Sequence, residues 1–368
     1  MNLTPVQSLA LGIIWFLLLA VLGGSIVAWS KWIARYMNSV KLDRIATGPQ
    51  ATVGFVDILV CVLLLFTLFL LAPVAWRALG LPVAQTKQES KLNAVDPIEE
   101  ATTSKVDKGM AEKPAVMTQH QFLFTGFAMS AQLLCVILMT VFICNRKGCS
   151  LKKLGWRLDQ VAGDLRAGLQ CFLMMTPVIL ILNAVLQGLT KTPYEHPIQE
   201  MIKQYPWLLG IAFWQAAIVA PVSEEFAFRV LLIGWFESIQ FGRDKLSAFM
   251  FGATPQNQLD TSELDTSELN AGELNAGESD TGGSDTGGSP MEYSPGWLPV
   301  LVSGTLFGLA HYSYGVSWVA LIVFGIVLGR LYQLRQSLIP IIMVHVLFNA
   351  MNVMMLGLSI FFPEKLGG

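Results

Sequence analysis

A stretch of about 20 apolar residues is long enough to cross the roughly 30 Å hydrocarbon core of a bilayer as a helix. Inside that core every backbone N–H and C=O must find its partner within the protein. Such stretches recur along this sequence at 8–29, 53–76, 122–144, 167–187, 207–237, 297–311, 315–333 and 337–357. They predict an all-α, polytopic membrane helix bundle with about eight transmembrane helices. Composition points the same way: 53% of the 368 residues are hydrophobic and 14% charged, where an average soluble domain has roughly a quarter charged. The first stretch lacks a basic leader and an A-x-A cleavage site, so it reads as a retained span.

Basic residues in short loops orient such a chain. Lys31, Arg35, Lys41 and Arg44 follow the first stretch, and Arg146, Lys147, Lys152, Lys153, Arg157 and Arg166 follow the third. Arg330 and Arg335 close the seventh. Eight alternating spans put all three groups on one side, the expected cytoplasmic one, with both termini opposite. The expected location is a bacterial plasma (inner) membrane, crossed many times, with the lipid bilayer as the constant partner. A net charge of −2 without a basic cluster gives no reason to expect nucleic acid. The five cysteines make no CxxC pair and read as small buried hydrophobes, not as a disulfide framework.

The chain divides into two N-terminal spans (1–81), a flexible linker (82–121), two spans with a basic segment (122–206), a C-terminal core (207–357) and a tail (358–368). Within the linker the charged and small residues lack periodicity. The basic segment 150–166 reads as a positive-inside loop in preference to a dedicated lipid-headgroup anchor. A disordered insertion of about 243–295 interrupts the core. Its centre, 260–289, parses into the pentapeptides DTSEL, DTSEL, NAGEL, NAGES, DTGGS and DTGGS. That composition cannot bury enough apolar surface to fold, and it reads as a repeat drifting in a tolerant loop.

Polar residues are scarce in the core, so those present are informative. Glu224, Glu225 and Arg229 follow the apolar run 207–222, although an ionisable group at mid-bilayer costs about 2.5–3.5 kcal/mol. Glu225 and Arg229 are four apart with the acid first, the favourable order for an ion pair, while Glu224 points about 100° away. Phe307 and His311 share one helical face, as do His345 and Asn349. Each of these alone has a plain structural reading: a packed histidine, an interhelical amide, an ion pair. Asp57 is a further intramembrane acid for which the sequence names no partner. Together, an acid, two imidazoles and a carboxamide on three of the last four spans suit water-mediated attack on an amide. A buried carboxylate takes a proton from water, one imidazole orients that water, and a second imidazole and an amide hold the oxyanion. No H-E-x-x-H, no G-x-S-x-G and no second intramembrane aspartate offers another protease chemistry.

The pattern Glu224-Glu225-x-x-x-Arg229, then Phe307-x-x-x-His311, then His345-x-x-x-Asn349, with Phe324-Gly325-Ile326-Val327-Leu328-Gly329-Arg330 before the third, resembles the CPBP family of intramembrane proteases. This is the CAAX-prenyl-endopeptidase and bacteriocin-processing (ABI-type) group. The resemblance covers 207–357 and leaves out the first three spans, the linker and the insertion. It implies an intramembrane endopeptidase with Glu224 as general base, His311 activating water, and His345 and Asn349 stabilising the oxyanion. Glu225, Arg229 and Phe307 are implied as supporting residues. The family is named for a metalloprotease. The expectation here is a metal-free mechanism; a zinc ion, if required, would take Glu224, His311 and His345. The implied substrate is a membrane-associated peptide or lipidated protein. The alternative is a non-catalytic membrane scaffold, immunity or transporter-like protein with a buried polar cluster.

Overall fold

The computed structural model describes residues 12, 16, 19–32, 53–81, 119–190, 199–242, 244–252 and 296–361. Part of the first span, nearly all of the 82–121 linker, the pentapeptide segment, His196 and the tail beyond 361 lie outside the described residues. Among the described residues every regular element is helical. In chain order these are α1 (19–32), α2 (Phe55–Ala78), α3 (Gln119–Lys147), α4 (Val161–Thr190), α5 (Gln199–Gln204) and α6 (208–241). They are followed by α7 (Lys245–Phe251), α8 (Trp297–Leu309), α9 (Ser317–Arg335) and α10 (Leu338–Phe361).

Among the described residues five stretches are long and apolar enough to cross a membrane: Phe55–Ala78, His120–Lys147, Leu158–Thr190, Ser317–Arg335 and Leu338–Phe361. The chain is therefore an integral membrane protein. The shorter α8 is the apolar helix Trp297–Leu309. The fifth expected span is α6, which is continuously helical but not uniformly α. It is α over Leu208–Phe213, π over Trp214–Val219, α over Ala220–Glu225, π over Phe226–Ile233, and α again over Gly234–Phe241. Glu224 and Glu225 thus sit on the one α turn between two π stretches, a rare, wider helix form that is frequent at functional sites.

Helices α8 and α9 form an antiparallel hairpin whose closeness is set by glycine. A Cβ at Gly304 would lie 2.6 Å from Ile326 N, and one at Gly308 would lie 2.6 Å from Trp318 O. A Cβ at Gly325 would come within 3.0 Å of Gly304 Cα. Small residues at this spacing let backbones touch where no hydrophobic drive between helices exists. The consequence is positional: α8 ends beside α9, and His311 follows in the turn between them.

One end of the bundle gathers the basic loops. Gly155, left-handed at φ 91°, ends the short 3-10 turn Leu151–Leu154, and its carbonyl accepts from Leu338 N at 2.9 Å. Arg157 donates to Arg335 O, and Arg335 pairs with Asp164 at 2.7 Å. The basic groups after α3 and at the end of α9 therefore lie together. Asp57 finds there the partner that the sequence did not name. It is fully buried, takes Gly54 N at 2.9 Å and pairs with Arg146.

The insertion begins later than expected from composition. Residues 245–251 are helical, started by Asp244, whose Oδ1 accepts from Leu246 N at 3.1 Å. Phe249 stacks on Phe55, and Trp235 Nε1 donates to Phe249 O. Arg146 and Lys147 donate to Phe251 O at the C-terminus of α7, the end where cations are favoured. Seven residues are too few to show a period, so tertiary contacts decide this helix.

The cysteines are free, as expected, yet two pairs approach closely: Cys61 and Cys135 at 3.9 Å, and Cys144 and Cys149 at 4.0 Å.

Candidate active site

The site is assembled by α6, the end of α8 and the first turns of α10. Glu224 faces two imidazoles at once: its Oε1 is 4.0 Å from His311 Nε2 and its Oε2 is 3.7 Å from His345 Nε2. The two rings are fixed from behind. His311 Nδ1 donates to Phe307 O one turn earlier, at 2.8 Å. Since a carbonyl can only accept, the proton of this ring is on Nδ1 and Nε2 is left toward Glu224. His345 Nδ1 lies 2.8 Å from Glu225 Oε1, so the neighbouring carboxylate orients this ring in the same sense. Glu224 and His311 are partly open, at 27% and 19% of side-chain area, whereas His345 is 3% exposed and Glu225 not at all. The acid that can meet water and the acid that holds the histidine are thus adjacent in sequence and opposite in role.

Burying Glu225 without a partner would be costly. It has two: His345 on Oε1 and Arg229 Nε on Oε2 at 2.9 Å, the i,i+4 pair expected from sequence. Arg229, also fully buried, donates through Nη1 to Ser303 Oγ at 3.0 Å and lies 5.5 Å from the centre of the Phe307 ring. Ser303 in turn donates to Phe228 O at 3.0 Å, a carbonyl in the second π stretch. Phe307 fills the middle of this arrangement. Its ring meets His311 at 5.0 Å and His345 edge-on at 5.5 Å, and Phe324 closes the other side of His345 at 5.4 Å. The rings allow the imidazoles little room to turn.

Asn349 is held differently from the other three. Its Nδ2 donates to Ala216 O at 2.8 Å, in the first π stretch of α6. The local reason lies in Pro221: a proline has no N–H, so a carbonyl of the preceding turn lacks its helical donor. Asn349 supplies one, tying α10 to α6 beside the site and leaving its second amide hydrogen unused. One turn separates it from His345.

All seven residues singled out from the motifs are therefore brought together, although Asn349 touches the group only through α6. Two features were not read from sequence. One is the bond from Glu225 to His345, which spans 120 positions and leaves no periodic trace. The other is Ser303, whose signal was available: Ser303, Phe307 and His311 are spaced i, i+4, i+8 on an otherwise apolar helix. His120, set aside as solvated, is exposed at the start of α3.

Two imidazole nitrogens and a carboxylate are chemically a zinc donor set. Among the described residues, however, no group of three or more His, Cys, Asp or Glu side chains is disposed to hold a metal ion. The arrangement sets two imidazole nitrogens before one partly open carboxylate, a group able to receive a proton.

No curated protein and no solved structure matches the chain. A family model does match residues 288–351, which hold Phe307, His311, His345 and Asn349 but not α6 with Glu224. Over that segment the chain is similar to the family described as Type II CAAX prenyl endopeptidase Rce1-like, in keeping with the resemblance carried by the motifs.

Proposed function

We propose that the protein is an intramembrane endopeptidase that hydrolyses a peptide bond of a membrane-associated peptide or lipidated protein, with Glu224 as the general base. The observation that carries this reading is the convergence of Glu224 with the Nε2 atoms of His311 and His345 at 4.0 and 3.7 Å, each ring being tied at Nδ1. A purely structural role gives no reason for two imidazole Nε2 atoms to converge on one partly open carboxylate. The match to a CAAX prenyl endopeptidase family over the second and third motifs supports the same class.

In the mechanism we propose, water bound before Glu224 is oriented by His311 Nε2 and attacks the scissile carbonyl carbon. Glu224 accepts the water proton as the C–O bond forms. The oxyanion is met by His345 in its doubly protonated form, whose Nδ1 proton is held by Glu225 and whose Nε2 proton faces the substrate, and by the second amide hydrogen of Asn349. Collapse of the intermediate breaks the C–N bond, and Glu224 returns its proton to the departing amine. No metal is needed in this scheme. Were zinc bound by Glu224, His311 and His345, it would supply Lewis-acid activation of the water. A bacterial plasma membrane with the basic end cytoplasmic is the proposed setting.

The test is cleavage by purified protein in liposomes of an internally quenched peptide ending in a farnesylated cysteine motif, beside its unprenylated form. Glu224→Gln and His345→Ala are expected to lower turnover by about 10²–10³ or more, the usual loss when a base or an oxyanion donor is removed. Undiminished turnover after treatment with a chelator is expected from the metal-free scheme. Variants that cut as fast as the parent would refute the assignment.

A further inference from the structure

The seam between α3 and α6 is polar in a region where both helices are otherwise apolar. Gln215 donates to Gly126 O and lies 3.1 Å from Ser130 Oγ, and Trp214 Nε1 reaches the same hydroxyl at 3.2 Å. Further along, Ser223 Oγ lies 3.0 Å from Gln132 Oε1, on the turn that carries Glu224. These contacts hold α3 against the face of α6 next to the candidate base.

Gln132 differs from its neighbours in one respect. One end of its carboxamide faces Ser223 Oγ at 3.0 Å, a hydroxyl whose single proton also has Val219 O at 2.8 Å and Ala220 O at 3.0 Å within reach, and the other end makes no hydrogen bond among the described residues and is not enclosed. A carboxamide with unsatisfied donors in a membrane is expensive unless it faces water or a ligand. Ser223 points to α3 and Glu225 to His345 on α10, so Glu224, between them in sequence, opens on the side where α3 and α10 flank α6. Gln132 meets the residue just before Glu224 from α3, and His345 meets Glu224 itself from α10.

We propose that Gln132 is a substrate-binding residue, its amide NH2 donating to a main-chain carbonyl of the peptide laid across Glu224. This rests on the endopeptidase reading above and extends it to α3, outside both the matched segment and the motifs. The chemistry suits the place. A peptide drawn into an apolar cleft must have its carbonyls satisfied by the protein. A neutral amide does so without the cost of a buried cation, and because it reads backbone it is indifferent to the side chain there.

Binding separates this proposal from the catalytic one. In the Glu224→Gln protein, the dissociation constant for the same farnesylated peptide, labelled for fluorescence anisotropy in detergent, is measured with Gln132 intact and as Gln132→Leu or Gln132→Glu. The glutamate keeps an acceptor toward Ser223 and exchanges the amide donor for a negative charge, while the leucine removes the donor without adding charge. Both substitutions are expected to weaken binding about tenfold, the scale of one hydrogen bond, without lowering the melting temperature in the Gln132→Glu case. In the cleaving protein they are expected to raise KM more than they lower kcat. An unchanged dissociation constant for Gln132→Glu overturns the proposal, whether or not Glu224 proves catalytic. A parent that binds the peptide through Gln132 but never cuts it instead overturns the endopeptidase reading alone.

Discussion

At the scale of single residues, two adjacent glutamates differ because of what each touches. Glu225 is enclosed between Arg229 and His345, and Glu224 stands half-open before two imidazoles. Helical geometry made the Glu225–Arg229 pair legible, because residues four apart share a face. It could not show that the other oxygen of Glu225 is spent on His345. The pair is buried, so removing one member leaves an uncompensated charge. Arg229→Met is expected to destabilise the protein by about 3–5 kcal/mol, read as a lower melting temperature in detergent. The double variant Glu225→Gln, Arg229→Met is expected to recover much of that loss while remaining inactive, since His345 no longer has a carboxylate behind it. A double variant no more stable than the single one would show that the ion pair is not what the single variant loses.

At the scale of elements, α6 and the α8–α9 hairpin do the positioning. The hydrophobic run 207–237 announced a span, but nothing in its composition announced two π stretches, which arise where the helix accommodates Pro221 and takes side-chain bonds from Asn349 and Ser303. The hairpin was partly legible: Gly304-x-x-x-Gly308 and Gly325-x-x-x-Gly329 are the spacing of close helix contact. A Cβ at Gly308 would meet Ile322 Cγ1 at 2.4 Å and Trp318 O at 2.6 Å. Gly308→Ala is therefore expected to push α8 from α9, displace His311 and lower both melting temperature and peptide cleavage. Gly210→Ala, where nothing lies within 4 Å of the added atom, is the matched control and is expected to change neither. Equal behaviour of the two would mean that the hairpin is not held by backbone approach.

At the scale of the whole molecule, the C-terminal core is interrupted by a pentapeptide repeat whose flanks are both fastened. Arg146 and Lys147 hold Phe251 O on one side, and Gln333 holds Gly296 O on the other. Shortening a loop between fixed ends alters closure entropy only slowly, by about 0.6 kcal/mol per halving. Excision of 260–289 is accordingly expected to leave melting temperature and cleavage as they are; a loss of cleavage with the fold intact would give the repeat a role at the site. The sequence by itself determined that this chain is a membrane-spanning helical protein, because hydrocarbon admits no other backbone solution for such apolar runs. It also determined which few polar side chains to watch, because their cost in that medium demands a reason. Tertiary structure alone decided which of those groups meet. Partners such as Glu225 and His345, Asp57 and Arg146, or Gln132 and Ser223 lie far apart along the chain, and no local periodicity records a contact made across the bundle.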